Sequence, residues 1–451
     1  MRIHFIAIGG SIMHSLAIAM KKAGHEVSGS DDEIYEPSKG RLAALGILPE
    51  STGWHTERIT PNIDIVVLGM HARKDNPELL EAQRLNLRIE SFPEFMYRVS
   101  KEKTRVVVTG SHGKTTTTGM IAHILDQCQV PADRMVGARI GDLEPVVISD
   151  AGIIVLEGDE YLSSPLDSRP KFLHYHPDIT IITGISWDHM NVFPTYESYV
   201  APFRQLIESL EQENTLIYCA DDPELVKLVN EVSPVCACLP YHALSYSLQN
   251  DQVVVRASNG KDFPMRIFGK HNMQNLSAAF LACQKLGLDE ESILKAIQSF
   301  TGANKRLQLL NKNEEVTVYN DFAHAPSKVK ATVEAVREKH PDAKIVACLE
   351  LHTFSSLNPG FLPLYADALQ DADYKIVYFS PHTLASKRLP DLSADQLAVH
   401  FNAPDLIVVQ SGEELELRIK ELRVTRPVVM LWMSSGRFDG LDIANIKPGK
   451  V

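Results

Sequence analysis

A chain of 451 residues exceeds what one hydrophobic core organises and points to about three domains. Its 44% hydrophobic and 23% charged residues, with 25 Gly and 25 Pro, exclude extended disorder. A net charge of −12 excludes the overall basic field that gathers counterions from nucleic acid, so anionic ligands must be met by local Lys, Arg or backbone NH groups.

Short apolar runs ending in Gly, Asp or Glu alternate with helix-like stretches along the whole chain, the pattern of parallel sheets covered by helices. The start, MRIHFIAIGG, runs directly into a strand-turn-helix pattern without the features of a secretory leader, and no run approaches 18 apolar residues. The expected protein is therefore cytoplasmic, with no membrane and no nucleic-acid partner. The first region reads as a strand Ile3 to Ile8, a turn at Gly9-Gly10, a helix over Leu16 to Lys22 and a strand ending at Asp31, half of a Rossmann-like unit. Another strand, DIVVLGM, follows, and Ser100 to Arg105 reads as a linker. The second region opens with RVVVTG and a helix starting at the lysine of SHGKTTTT. GIIVLEGDE and ITIITGISWDH each read as a buried strand whose charged end lies at the edge where parallel sheets bind ligands. TGANKR then breaks the pattern, and VTVYNDFAHAP, KIVACLE, KIVYFS, DLIVV and PVVMLWM supply the strands of a third α/β region ending in the turn SSGRFDG. The expected domains are 1–102, 103–302 and 303–451: an N-terminal Rossmann-like domain, a central parallel sheet of the P-loop ATPase type and a C-terminal Rossmann-like domain. Six cysteines are sparse for this length, and Cys236-x-Cys238 has no second Cys/His pair at zinc spacing, so it reads as a reduced, buried pair.

The strongest chemical signal is Thr109-Gly110-Ser111-His112-Gly113-Lys114-Thr115-Thr116, placed between a strand and a helix as a phosphate-binding loop must be. Backbone NH groups would hold phosphate oxygens, Lys114 would reach the terminal phosphates and the Thr115 hydroxyl would bind Mg²⁺. Two residues separate the glycines where the usual form has four, because position 108 is Val. Glu157 and His189 both follow strands and complete a candidate metal site with Thr115; taken singly, the histidine also reads as structural and Glu157-x-Asp159-Glu160 as a solvated acidic turn. In GKHNMQN, Asn272 reads as a helix cap and Asn275 as a first-turn amide, or both amides read an adenine edge. The turn Gly9-Gly10-Ser11 lacks the first glycine of a dinucleotide fingerprint, since Ala7 stands there, but can still accommodate a nucleotide-sugar diphosphate.

Seven landmarks in order resemble the Mur ligases: IHFIAIGGSIMHSLA with GSD at 29–31, TGSHGKTTTT, LEGDEY, WDHMNVF, GKHNMQN, KRLQL and DFAHAP. The resemblance covers almost the whole chain. It implies a UDP-sugar-binding first domain, with Gly9, Gly10, Ser11 and Asp31 at the sugar nucleotide. ATP and Mg²⁺ would be held in the second domain by the Gly110–Thr116 loop, with Lys114, Glu157 and His189 catalytic and Thr115, Glu157 and His189 on the metal. It places Asn272 and Asn275 at adenine, Arg306 and Asp321 at the γ-phosphate and ribose, and His324 and His352 at the acceptor. Two members of the family start from UDP-N-acetylmuramate, one adding L-alanine and the other the recycled peptide L-Ala-γ-D-Glu-meso-diaminopimelate. The stretch PKFLHYHPDITIITGISWDHMNVF, DFAH and KRLQL resemble the peptide ligase more closely, so the expected activity is peptidoglycan recycling, with the L-alanine enzyme as the alternative.

A carboxylate does not condense with an amine in water, so ATP would convert the lactyl carboxylate to an acyl phosphate that the amine attacks. This sequence departs from the family at three places. Phe203-Arg204 stands near the position where several relatives carry a carbamylated lysine, His324-Ala325-Pro326 replaces HHP, and Glu350-Leu351-His352-Thr353-Phe354 lacks the arginine of both muramate ligases. Folylpolyglutamate synthetase is argued against by the GSD-bearing first region. A non-catalytic nucleotide-sugar sensor and a P-loop transport or regulatory ATPase are the readings from other classes.

Overall fold

The computed structural model describes residues 1–140, 143–190, 192–249, 252–302 and 305–451. Asn191 of WDHMNVF and Ala303-Asn304 of TGANKR lie outside them. The chain divides into two compact units: Met1–Ile185, Val200–His242 and Ser277–Ile297 form the first, and Ser186–Tyr199, Ala243–Leu276 and Gln298–Val451 the second.

The first unit contains two sheets. The smaller is wholly parallel, in the order β2-β1-β3-β4, from β1 (Arg2–Ile6), β2 (Glu26–Ser30), β3 (Ile65–Leu68) and β4 (Ile89–Ser91). Helices α1 (Ser11–Lys22), α2 (Ser38–Ala43), α3 (Pro77–Arg84) and α4 (Phe92–Ser100) connect or follow these strands. The expected first strand stops two residues early, because Ala7 takes φ +70°, a left-handed conformation that turns the chain. α4 begins with a capping box in which Ser91 and Glu94 bond each other's backbone NH groups. The expected linker is shorter than read, since α4 ends at Ser100 and β5 begins at Thr104.

The larger sheet runs β13-β12-β11-β5-β8-β6-β7, from β5 (Thr104–Thr109), β6 (Asp133–Met135), β7 (Val146–Val147), β8 (Ile153–Glu157), β11 (Ile179–Ile182), β12 (Thr215–Cys219) and β13 (Ala237–Tyr241). A hairpin of β9 (Leu162–Ser164) and β10 (Asp167–Pro170) stands apart. Val106, Val107, Val108, Ile154, Val155, Leu156, Ile181 and Ile182 are fully buried. Such continuous apolar runs are what a sheet covered on both faces requires, and each of these side chains contributes about 1.5–3 kcal/mol by leaving water. Helix α5 (Lys114–Gln127) follows β5 and buries Met120, Ile121, Ile124 and Leu125, as the spacing predicts.

The second unit holds a three-stranded antiparallel sheet, β14 (Tyr246–Gln249), β15 (Gln252–Arg256) and β16 (Asp262–Met265). It also holds a six-stranded sheet in the order β17-β18-β23-β19-β20-β21. That sheet comprises β17 (Gln308–Lys312), β18 (Val316–Asp321), β19 (Lys344–Glu350), β20 (Tyr374–Tyr378), β21 (Ile407–Val409) and β23 (Val428–Met433); β22 (Arg423–Val424) pairs separately with β24 (Gly449–Lys450). The five strand stretches expected here all form, parallel except for the added edge strand β17. The fold is thus α/β with parallel sheets in its N-terminal, central and C-terminal parts. Among the described residues no helix is long and apolar enough to cross a membrane. All six cysteines are free, with Cys236 buried and Cys238 half-buried.

Candidate active site

Pairing of β5 with β8 sets Val108 opposite Glu157, so the end of β8 lies beside the start of the glycine loop. The loop then turns at Gly110, whose φ of +121° and surroundings admit no side chain: an added Cβ would lie 2.4 Å from Thr183 Oγ1. Ser111 NH donates to Gly184 O at 2.9 Å, the Thr183 hydroxyl donates to His112 O, and Gly113 closes the loop with φ +77° as the residue before α5. Thr116 is buried in the first turn. The hydroxyls of Thr109 and Ser111 are buried and have no hydrogen-bond partner among the described residues, a donor surplus that a phosphate would satisfy.

Lys114 sits at the centre of this site with its side chain 13% exposed. Its ammonium donates to Gly110 O at 2.7 Å and to Glu160 Oε2 at 2.6 Å, and Glu160 is fully buried. Burial opposes its charge, but Glu160 and Asp159 outweigh that penalty and raise its pKa. The acidic turn is therefore not simply solvated: Glu160 is buried against Lys114, and Asp159 pairs with Lys171 at 2.7 Å.

Thr115 Oγ1 donates to Glu157 Oε1 at 2.8 Å, and Glu157 Oε2 accepts from Gly137 NH at 2.6 Å. Burial raises the pKa of Glu157, with the Gly137 and Thr115 bonds acting against the rise. A hydroxyl and a carboxylate side by side are the oxygen donors that Mg²⁺ takes, so the residues present fit that ion. Near the position of the carbamylated lysine, Phe203 is buried and packs on Phe172 at 5.3 Å, while Arg204 pairs with Glu231.

At the smaller sheet, Gly9 NH donates to Asp31 Oδ2 at 2.7 Å and Asp32 NH to Asp31 Oδ1 at 2.9 Å. Burial raises the pKa of Asp31 against those bonds. Gly10 precedes α1 without any side-chain cap, and Ser11 is exposed in the first turn, so backbone NH groups remain the anion-facing feature of this end. His14, also in this helix, bonds Gly10 O, Ser38 and Arg41 at 2.9–3.0 Å.

In the second unit His189 has φ +57°, and its backbone NH donates to Asp188 Oδ1 at 2.8 Å. Asp188 is buried and meets Lys328 Nζ at 3.3 Å. The expected cap at Asn272 is corrected: α6 (Lys270–Lys285) starts two residues earlier, after Gly269 with φ +86°, and Asn272 lies inside it donating to Phe268 O at 2.8 Å. Asn275 is also buried in this helix. Arg306 stacks over the Phe322 ring at 4.5 Å, and Asp321 accepts from Leu307 NH at 2.6 Å and Ala323 NH at 2.7 Å.

His324, just before the helix Pro326–Lys339, donates from Nδ1 to Phe322 O at 2.8 Å, which fixes the neutral tautomer with its lone pair on Nε2. Burial and the neighbouring Lys328 push its pKa down to about 4. His352 is partly exposed and lies 3.5 Å from Glu350, which is buried and accepts from the Ser434 hydroxyl and, at 2.9 Å, from Phe438 NH. Sequence reading gave no site role to Glu160, Lys328 or Glu350: each becomes notable only through a partner far away along the chain.

A glycine loop with a buried lysine and an adjoining hydroxyl-carboxylate pair defines a nucleotide-dependent enzyme on an α/β scaffold. Residues 2–104 match the family described as "Mur ligase family, catalytic domain" and residues 108–283 the "Mur ligase middle domain". The UDP-N-acetylmuramate–L-alanine ligase of Desulforamulus reducens is 34% identical, over 93% of this chain and 98% of that protein. The chain belongs to the Mur ligase family and is an ATP-dependent amide-bond-forming ligase. Among solved structures, the UDP-N-acetylmuramate–alanine ligase of Thermotoga maritima is similar with a TM-score of 0.70 and 24% identity, over 97% of this chain and 96% of the other. The murein peptide ligase of Psychrobacter arcticus is similar with a TM-score of 0.68 and 23% identity, over 99% of each chain. The fold is thus shared equally with both kinds of muramate ligase, while the sequence relative carries the L-alanine name.

Proposed function

We propose that the protein uses ATP to activate the lactyl carboxylate of UDP-N-acetylmuramate and joins it to the amino group of L-alanine, a cytoplasmic step of peptidoglycan synthesis. The observation that carries the ligation is the convergence of Lys114, Thr115 and Glu157 at one sheet edge. The acceptor reading rests on the name of the Desulforamulus reducens relative, of which 98% is covered. That name supports L-alanine over the peptide acceptor that the sequence landmarks favoured.

In this reading loop NH groups and the orphaned Ser111 hydroxyl bind phosphate oxygens, while Lys114 exchanges Glu160 for the transferring phosphoryl group. Thr115 and Glu157 would hold Mg²⁺, with His189 as the further proposed ligand, and the ion would supply positive charge for the phosphate oxygens. Asn272 and Asn275 would contact adenine, and Arg306 and Asp321 the γ-phosphate and ribose. Gly9, Gly10, Ser11 and Asp31 would meet the UDP-sugar, and the neutral His324 would accept a hydrogen bond from the acceptor amine. The domains implied are 1–102, 103–302 and 303–451.

The peptide L-Ala-γ-D-Glu-meso-diaminopimelate is the second reading. It is favoured by the stretch PKFLHYHPDITIITGISWDHMNVF, by DFAH at 321–324 and by KRLQL. Phosphate release from ATP and Mg²⁺ with UDP-N-acetylmuramate, given either acceptor and with products weighed by mass spectrometry, separates the two. Turnover with L-alanine supports the proposal, preference for the peptide selects the second reading, and release without the muramate substrate refutes both.

A further inference from the structure

His174 poses a problem that the ligase site does not solve. It ends the 3-10 turn Lys171–His174 after β10, and it is 5% exposed. Its Nε2 is buried and makes no hydrogen bond among the described residues. A buried unsatisfied nitrogen is costly to the fold unless a ligand meets it. Two carboxylates face it. Asp167 Oδ2, at the start of β10, lies 3.4 Å away. Glu94, in the first turn of α4, completes a set whose ligand atoms all lie within 4.8 Å of one another.

We propose that Glu94, Asp167 and His174 bind one divalent transition-metal ion of the zinc class. The 3.4 Å separation of Asp167 Oδ2 and His174 Nε2 matches the edge, also about 3.4 Å, of a tetrahedron whose centre lies about 2.0–2.1 Å from nitrogen and oxygen ligands. One imidazole and two carboxylates suit zinc, and a water would take the fourth position. Burial lowers the pKa of His174, so the imidazole is in its metal-binding neutral form at neutral pH. Glu94 is already oriented by its outer shell, since Oε2 accepts from Ser91 NH and Oγ at 2.8 Å, leaving Oε1 to coordinate. A cleft lined by Glu94, Tyr97, Lys101 and Arg169 gives the entry path.

Arg169 holds Asp167 through both oxygens at 2.6–3.1 Å and must yield one of them. Its side chain is 57% exposed, and an exposed pair of this kind contributes little. The same cleft is lined by Arg98 and Lys101, which makes an inorganic anion the rival occupant. Arg98 is engaged by Glu90 at 2.9 Å, however, and an anion would leave the lone pair of His174 unexplained. An ion here would tie α4 to the β9–β10 hairpin and the turn after it, positions more than 70 residues away in sequence.

The test is a calorimetric zinc titration of chelator-treated, full-length protein in excess Mg²⁺, which fills oxygen-only sites. The expected result is one zinc per chain, with affinity falling at least about 100-fold in His174→Ala, beyond what loss of an outer-shell partner usually costs. Glu94→Gln keeps the capping box and a folded helix yet should also weaken zinc by about 10-fold or more. Zinc should raise the melting temperature of the wild type by more than that of either variant. Wild-type zinc binding that both variants retain, no zinc binding at all, or stabilisation by inorganic phosphate instead of zinc would overturn the site.

Discussion

Replacing Lys114 by Met should separate stability from catalysis. The ammonium donates to the buried Glu160 Oε2 at 2.6 Å, and the lysine side chain is 13% exposed, so solvent screens the pair little. Removing one member of such a pair strands the other charge and costs about 3–5 kcal/mol, more than 100-fold in the folding equilibrium at roughly 1.4 kcal/mol per decade. Removing both charges is often neutral, so Lys114→Met/Glu160→Gln should regain most of the lost stability. Catalysis should not return with it, because the transferring phosphoryl group still lacks its cation; a loss of about 10²–10³-fold or more is expected in both variants. Urea denaturation read by tryptophan fluorescence and circular dichroism, beside phosphate release at saturating substrates, measures the two effects. A single variant as stable as the wild type, or a double variant that still ligates, would refute the reasoning.

Three further outcomes follow from the geometry. Gly110→Ala should destabilise the first unit by several kcal/mol, visible as a lowered melting temperature, because its Cβ would lie 2.4 Å from Thr183 Oγ1 in a left-handed backbone region. Glu157→Gln should keep the bond from Thr115 while raising the Mg²⁺ concentration needed for half-maximal activity by at least about 10-fold. His324 has its pKa depressed to about 4 from an ordinary 6.5, so the unfolded chain binds the extra proton between those values. Its contribution is full above pH 6.5 and lost as pH falls towards 4. Urea midpoints of the wild type should therefore drop more steeply over that range than those of His324→Gln, and equal slopes would contradict the assignment.

The strand-loop-helix placement of the glycine loop was legible because its residues are local in sequence. The alternation of apolar strands and helices was legible for the same reason. Glu160 could be read only as part of an acidic turn, since its burial against Lys114 depends on β5 and β8 lying side by side. Asn272 carried the chemistry of a cap, but Gly269 with φ +86° lets the helix begin upstream of it. His174 looked like one of two histidines in HYH, and its isolation from hydrogen-bond partners appears only after β10 and α4 are in place. Acceptor choice was least legible, because it depends on the shape of a pocket built from residues far apart in sequence.

The most direct test of the central claim follows oxygen. UDP-N-acetylmuramate labelled with ¹⁸O in its lactyl carboxylate is incubated with ATP, Mg²⁺ and L-alanine, and the released phosphate is examined by mass spectrometry. Carboxylate activation through an acyl phosphate predicts one labelled oxygen in each phosphate, with amide product in equal amount. Unlabelled phosphate would contradict the account, because ATP would then have been hydrolysed without ever reacting with the carboxylate.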